Sequence, residues 1–352
     1  MKLEDLIDQK AEWLKGEGPK AEIVVSTRIR LARNIKGHFF PGWANDKQRD
    51  TALEKSISGL KRTVSFKNAL FLRMREMDMM DREFLVERHL MSREHAVDVK
   101  SKAVVVDEKE AISIMLNEED HLRIQVLRSG FNIMDAWGAI DKIDQEISRY
   151  LQYSYSPKFG YLTSCPTNTG TGMRASVMLH LVALAMTDQM SNVYDAISKL
   201  GMTIRGFYGE GTEALGNFYQ ISNQVTLGHS ELDILDNLVR VVNKLIEREE
   251  ATRTHLLKNK KQEITDSVCR SYGTLRSARI ITSDETIRLM SAVRLGVELG
   301  LIKDHGRGEV NDLFLLTQPS HLQKIEKKTL TPHERDIKRA DLIREKLGER
   351  AE

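Results

Sequence analysis

A chain of 352 residues, 41% hydrophobic and 30% charged, reads as an ordinary globular protein of roughly two domains with a sizeable core. A net charge of +2 gives no gross polyanion-binding signal, and two cysteines far apart in sequence make neither a disulfide framework nor a zinc site. The charged N-terminus MKLEDLIDQKAEWL lacks a signal-peptide core, and no run approaches the roughly 18 apolar residues of a membrane span, so the expectation is a cytoplasmic protein in a reducing compartment.

Leu3, Leu6, Ile7 and Leu14 predict a short amphipathic helix, stopped by Gly16, Gly18 and Pro19. The next run, 23–30, is β-branched and predicts a strand. Its period of two puts Arg28 and Arg30 on one face. With Arg33 close by, they suit a phosphate clamp; exposed strand arginines are the plain alternative. Residues 46–63 and 81–90 read as helices, with a strand over 69–74 between them. His89 then reads as a surface histidine at a helix C-terminus.

Three short strands follow, 103–106, 111–116 and 122–127. Their short loops favour an antiparallel meander. The second loop, Asn117-Glu118-Glu119-Asp120-His121, crowds three acids into one turn beside Arg123. Such a turn is either simply solvated or holds a cationic substrate or an ATP-bound metal. Ile140, Ile143, Ile147 and Leu151 predict a helix over 135–151.

The stretch LTSCPTNTGTGMRASV, 162–177, concentrates the chemistry. Pro166 biases Cys165 towards extended backbone, and Gly170 and Gly172 suit tight turns. Arg174 opens an apolar, helix-like run, 175–186. A glycine loop feeding a helix N-terminus is an anion site, though no Walker lysine follows it. The plain alternative is a turn before a core helix. Residues 202–207 and 218–222 read as paired strands, joined by a glycine-rich loop with Glu210 near its tip. That loop is either a lid or merely solvated. Beyond a helix over 231–248 the pattern turns helical: 258–279, a helix capped by Thr282, and 310–327 broken by Pro319. The last helix follows Thr331-Pro332-His333-Glu334, a capping box with Pro at N1. Its apolar face is Ile337, Ala340, Ile343 and Leu347; Arg335, Asp336 and Arg339 lie on other faces.

Taken together, STRIR at 26–30, NEEDHLR at 117–123, CPTN-x-GT at 165–171 with RAS at 174–176, and RG-x-x-GE at 205–210 resemble the phosphagen (guanidino) kinases, in the family's order. The resemblance implies an α+β fold, an antiparallel sheet flanked by helices over 1–254, followed by an all-helical regulatory or dimerisation domain over 255–352. It implies that Arg28, Arg30, Arg123, Arg174 and Arg205 bind ATP phosphates, that His89 lies near the base, and that Glu119, Glu210 and Cys165 hold the guanidinium. Magnesium would come with the ATP. Met178 stands where animal members carry a second histidine.

A free-guanidino kinase has a helical domain before the STRIR-like strand. Here only about 25 residues precede it and a helical domain follows, as in the protein-arginine branch of the family. That branch implies phosphorylation of protein arginines, with a CtsR-type repressor among the substrates, an McsA-type activator, a Clp ATPase or protease downstream, and a homodimer or larger assembly. It also implies a phosphoarginine-binding regulatory pocket at Arg335, Asp336 and Arg339. No direct nucleic-acid or membrane binding is expected. The alternatives are a small-molecule guanidino kinase and a silent adaptor for arginine-rich partners.

Overall fold

The computed structural model describes residues 2–206 and 214–348. Its strands are β1 (Val24–Arg33), β2 (Leu70–Arg73), β3 (Ala103–Val106), β4 (Ile112–Leu116), β5 (Leu122–Ser129), β6 (Tyr155–Ser156), β7 (Gly160–Tyr161), β8 (Met173–His180), β9 (Met202–Gly206) and β10 (Phe218–Asn223). Eight of them form one antiparallel sheet in the order β2-β3-β4-β5-β1-β8-β10-β9, and β6 and β7 make a separate hairpin. The expected meander is β3-β4-β5, and β9 pairs with β10 as expected.

Before and within the sheet come α1 (Asp46–Lys61), α2 (Met79–Glu87), α3 (Arg93–Val97), α4 (Ile133–Ser148), α5 (Val182–Met186) and α6 (Met190–Lys199). After it come α7 (Glu231–Asn259), α8 (Lys261–Ser277), α9 (Ser283–Glu298), α10 (Arg307–Leu316), α11 (Pro319–Glu326) and α12 (Pro332–Leu347). Three expectations change. The N-terminal segment is two 3-10 turns, Leu3–Leu6 and Glu12–Leu14, which bury Leu6 and Trp13 in different clusters that one straight helix would not serve. The helix from Glu231 continues to Asn259, past the expected stop at 248.

The third change matters most. Residues 173–180 are the strand β8 near the middle of the sheet, and only Val182–Met186 is helical. A strand covered on both faces reads as a continuous apolar run, which periodicity cannot tell from a buried helix. Val177 and Leu179 face one hydrophobic cluster, Met178 another.

Cross-strand partners share a face. Ile29, Leu31, Ile124, Val126, Ala175, Val177 and Ile221 point into a core closed by α1, α4, α6 and α7. The other face is polar at its centre. On either side of that centre lie a cluster around α2 and the N-terminal turn, and a cluster of C-terminal helices. The C-terminal helices dock onto the sheet's end through Phe314, edge-on to Phe218 at 4.9 Å, and through Arg294, which donates to His180 Nδ1 at 2.9 Å. The final helix is built as expected: Thr331 accepts from the Glu334 N–H, Glu334 returns to Thr331, and Ala340, Ile343 and Leu347 are buried.

Candidate active site

Strand register assembles the polar face. Arg30 is opposite Arg174 on β8, and Ala32 is opposite Arg123 on β5. Arg205 is opposite Gln220, Gln220 opposite Met178, and Met178 opposite Ser26. Counting by twos along β1, all five arginines singled out in the sequence fall on one side of one sheet. Arg33, an odd number of residues away, falls on the other side. Its guanidinium donates to Asp144 at 2.8 and 3.0 Å and lies 3.5 Å from the centre of the Tyr161 ring. Arg33 is therefore not part of the clamp that its proximity in sequence indicated.

The arginine face is electrostatically tense. Burial, then Arg123 and Arg174, draw the Arg28 guanidinium down to about 10. Arg30 is lowered further by burial and by Arg28, Arg123 and Arg174. Arg174 is lowered by burial, Arg205 and Arg123. Their partners are mostly neutral: Arg28 donates to Gln220 at 3.1 Å, and Arg174 to Ser222 at 3.2 Å. Among the described residues, Glu118 on Arg123 is the one carboxylate ion-paired with this set, and Arg30 Nε is buried without a hydrogen-bond partner. Guanidinium forks facing one another without anions are complementary to a polyphosphate, which they can grip bidentately.

His89 closes the other end of this face. It follows α2 in a left-handed conformation (φ 60°), half-buried, with its carbonyl accepting from Gln125 Nε2 at 2.6 Å. The ring meets Trp13 edge-on at 4.7 Å. Trp13, Arg28, His89, Leu127, Met178 and Gln220 line a small cleft there. Burial, with Arg28 next, pushes His89 down to about 3, so the imidazole is neutral. This is not the surface histidine of the simple sequence reading.

The three acids of the second meander loop have three different surroundings. Glu118 pairs with Arg123 and accepts from Ser92. Asp120 is buried, accepting from Asn34 Nδ2 at 2.6 Å and the Ser164 N–H at 2.7 Å. Only Glu119 is exposed, and it opens into a cavity of about 140 Å³ shared with Arg30, Arg123, Cys165, Asn168 and Arg174. Burial, then Asp120, raise the Glu119 carboxyl above its ordinary value, against the pull of Arg123 and a hydrogen bond with Cys165.

The Cys165 loop is held from both sides. Thr163 donates to the Cys165 carbonyl at 2.7 Å, and Thr226 to the carbonyls of Thr167 and Thr169 at 2.8 and 2.7 Å. Gly170 (φ 113°) passes so close to Thr226 that a Cβ would sit 2.3 Å from its carbonyl oxygen. Gly172 (φ 64°) meets the Ala32 carbonyl similarly, at 2.7 Å. The glycines thus lay the loop against β1 rather than feed a helix. The Cys165 thiol lies 2.9 Å from Thr167 Oγ1. Glu210, the other expected carboxylate, lies outside the described residues, as does most of its loop.

Elsewhere, Arg339 is buried, donating to the carbonyls of Thr317 and Ile281 at 2.8 and 2.9 Å and to Asp336 at 2.5 Å. Arg335 is half-buried, with a 3.4 Å contact to the Leu330 carbonyl. The residues that sequence reading missed are Trp13, Gln125, Ser176, Gln220, Ser222 and Asn168. Four of them lie an even number of residues from a site arginine or from each other on β5, β8 and β10, so the alternation that paired Arg28 with Arg30 was the signal. Asn168 lies within the CPTN motif but had no role singled out for it, and Trp13, off the strands, gave no signal.

A model of the ATP:guanido phosphotransferase C-terminal catalytic domain matches residues 52–252, and one of the protein-arginine kinase McsB C-terminal domain matches residues 261–352. The chain is 45% identical over 349 residues to a protein-arginine kinase of Halothermothrix orenii, covering 99% of this chain and 100% of that one. It is 47% identical over 338 residues to a protein-arginine kinase of Shouchella clausii, covering 95% and 94%. Among solved structures it is similar to lombricine kinase (TM-score 0.60, 25% identity, 66% of this chain and 68% of that chain). It is also similar to the duplicated taurocyamine kinase of Schistosoma mansoni with bound transition-state analogue components (TM-score 0.61, 25% identity, 70% and 37%). The chain belongs to the ATP:guanido phosphotransferase family and, over its whole length, to the protein-arginine kinases within it.

Proposed function

We propose that the chain transfers the γ-phosphoryl group of ATP to arginine side chains of proteins, with the nucleotide on the arginine face and the acceptor guanidinium in the cavity of Glu119. The observation that carries this reading is that cavity: it joins an exposed carboxylate with a raised pKa and a thiol to three arginines. Transfer of a phosphoryl group passes through a loose transition state, so alignment and charge do most of the work. Arg30, Arg123 and Arg174 hold the phosphoryl oxygens; Arg28 and Arg205 hold the rest of the polyphosphate; Trp13, His89 and Met178 border the base. Magnesium would come with the ATP, held by its phosphates and water.

An arginine guanidinium, with a pKa above about 12, must lose a proton to become a nucleophile. Glu119 orients its N–H fork and takes that proton as the nitrogen–phosphorus bond forms and the bond from the γ-phosphorus to the ADP oxygen breaks. Cys165 is a positioning contact, not a covalent nucleophile, since one in-line step suffices. Glu210 is assigned the second carboxylate by its sequence match. Arg335 and Asp336 are assigned the regulatory phosphoarginine pocket, with Arg339 holding Asp336 from below. We place the division between a catalytic unit and a helical regulatory or dimerising unit at 254–255. A CtsR-type repressor, an McsA-type activator, a Clp ATPase and a cytoplasmic setting complete the proposal.

The test is incubation with ATP, magnesium and an arginine-rich protein, followed by phosphorus NMR. An acid-labile phosphoarginine signal, lost in Glu119→Ala while ATP still binds, is expected. Phosphorylation of free arginine but of no protein would sink the protein-acceptor reading.

A further inference from the structure

Exposed aromatic side chains are concentrated in two stretches of the chain. Among the described residues they are Phe39 (62% exposed), Trp43 (86%), Tyr150, Tyr155 (59%) and Phe159 (45%), all within 39–43 and 150–159. Single exposed apolar residues scattered over a surface need no explanation, whereas a group in one place does. Tyr150 is covered by the Arg62 guanidinium at 4.5 Å. Phe159 has Lys158 Nζ 5.1 Å from its ring centre, whereas Phe39 and Trp43 have no such cover among the described contacts. Their neighbours Tyr153 and Tyr161 turn inward, onto Arg33.

The two stretches are one unit. Lys36 N–H donates to the Gln152 carbonyl at 2.8 Å, Ser154 N–H to the Asn34 carbonyl at 2.7 Å, and Ile35 bridges to Tyr153. That unit is bolted to both acceptor-side loops. His121, in the turn of Glu119, accepts from the Ile35 N–H through Nδ1 at 3.1 Å and donates through Nε2 to the Phe39 carbonyl at 3.1 Å. Burial holds His121 down to about 4, so the neutral tautomer that makes both bonds persists. On the other side, Tyr155 stacks edge-on to Tyr161 at 5.4 Å. The Tyr161 N–H donates to the Gly170 carbonyl, in the Cys165 loop, at 2.8 Å.

We propose that Phe39, Trp43, Tyr155 and Phe159 form a docking rim for the polypeptide that carries the acceptor arginine, and that the rim selects apolar and acidic residues beside that arginine. The proposal rests on the protein-acceptor reading above. An arginine entering the cavity of Glu119 from a protein brings its own chain across the mouth. In extended backbone, residues two positions away lie about 6–7 Å along that chain, within the span of loops tied directly to the mouth. Large, rigid aromatic groups are the commonest anchors of such contacts. Exposed Lys36, Lys55 and Lys158 in and beside the same loops supply charge complementary to acids and opposed to further basic residues. The occupant is therefore an unfolded or flexible segment with apolar and acidic flanks, not a basic tract.

The test compares two peptides with one arginine each, flanked by Leu and Glu in one and by Gly and Lys in the other, as substrates of the full chain. The wild type is expected to favour the first by about tenfold in kcat/KM. Phe39→Ser, Trp43→Ser, Tyr155→Ser and Phe159→Ser together should abolish that preference, leaving the rate on the Gly/Lys peptide and ATP affinity within about twofold. Trp43→Ser alone, at the most exposed position, keeps the test available if the fourfold variant does not fold; it should lower the preference several-fold. Equal rates of the wild type on both peptides would overturn the rim while leaving protein phosphorylation intact. So would a preference that survives the fourfold change, or self-association lost in that variant with no change in peptide choice. Transfer to free arginine with none to either peptide or to any protein would overturn the reading beneath it, and the rim with it.

Discussion

The two faces of the central sheet treat buried arginine in opposite ways. On one, Arg33 has a carboxylate, two backbone carbonyls and an aromatic ring around it. On the other, three residues away, Arg30 has a buried Nε with no partner and three guanidinium neighbours that lower its proton affinity. Both sides carry the same residue type, Arg33 buried and Arg30 half-buried with its Nε shut off from solvent. The difference is satisfaction: a buried cation with every donor engaged holds the fold, whereas a row of cations repelling one another is arranged for something else. Arg253, paired with buried Glu249, and Arg294, bonded to Asn311, His180 and the Ala21 carbonyl, belong with Arg33.

The largest expected effect tests the first half of this comparison. Arg33→Ala leaves Asp144 as an uncompensated carboxylate in the core and should cost about 3–5 kcal/mol of stability. Thermal denaturation would register it as a large fall in Tm. Arg30→Ala, on the opposite face, removes a repelled charge. It should leave Tm unchanged or raise it while weakening ATP binding by calorimetry. Equal losses of Tm in the two variants would erase the distinction between the faces.

The second prediction uses the ligand itself. At a hundredfold excess over its Kd, ATP should stabilise the wild type by about 2.7 kcal/mol. The increment should shrink in Arg30→Ala and Arg174→Ala, and persist undiminished in Glu119→Gln, which lies on the acceptor side. Loss of the ATP increment in Glu119→Gln would show that the carboxylate serves the nucleotide instead.

The third sharpens the role of Glu119 through pH. Its carboxyl is raised by burial and by Asp120, so the active, ionised form is lost as pH falls through a value above the ordinary carboxylate range. Rate should therefore fall on the acid side at a pH where exposed glutamates are still ionised. His89, held near 3, remains neutral throughout that window and cannot supply the limb. Glu119→Gln should show a low rate without it. An unchanged acid limb in that variant would move the titration to another group.

How much of this was legible in sequence follows from the same two faces. Alternation along β1 gave Arg28 and Arg30 a common side, and three of the four motifs contained the cavity's Arg30, Glu119, Arg123, Cys165, Asn168 and Arg174 before any register was known. What failed was the assignment that alternation itself should have corrected. Arg33 was grouped with Arg28 and Arg30 by nearness, although an odd spacing puts it behind the sheet. The run 175–186 was read as a helix because a strand buried on both faces shows no alternation of polarity. Glu118, Glu119 and Asp120 were indistinguishable as text. Ser92, distant in sequence, and nearby Arg123 hold Glu118, while Asn34 and Ser164, both distant, hold Asp120 and leave Glu119 to the cavity.

The smallest effect extends the comparison to α12, where Arg335 and Arg339 repeat it one turn apart. Arg339 is buried, lowered by that burial and steadied by Asp336, and its donors engage Thr317, Ile281 and Asp336. It is built like Arg33, and truncating it should destabilise the helix packing. Among the described residues Arg335 makes one long contact, to the Leu330 carbonyl, and is built like a residue available to a ligand. Removing Asp336 would confuse the two roles, because it also strips Arg339 of its carboxylate. Arg335→Ala is therefore the clean variant. Its stability should stay within about 0.5 kcal/mol of wild type, while calorimetric binding of phosphoarginine to a site separate from the catalytic cavity should disappear. A phosphoarginine isotherm unchanged in Arg335→Ala but abolished in Glu119→Ala would put the ligand in the catalytic cavity and leave α12 a structural helix alone.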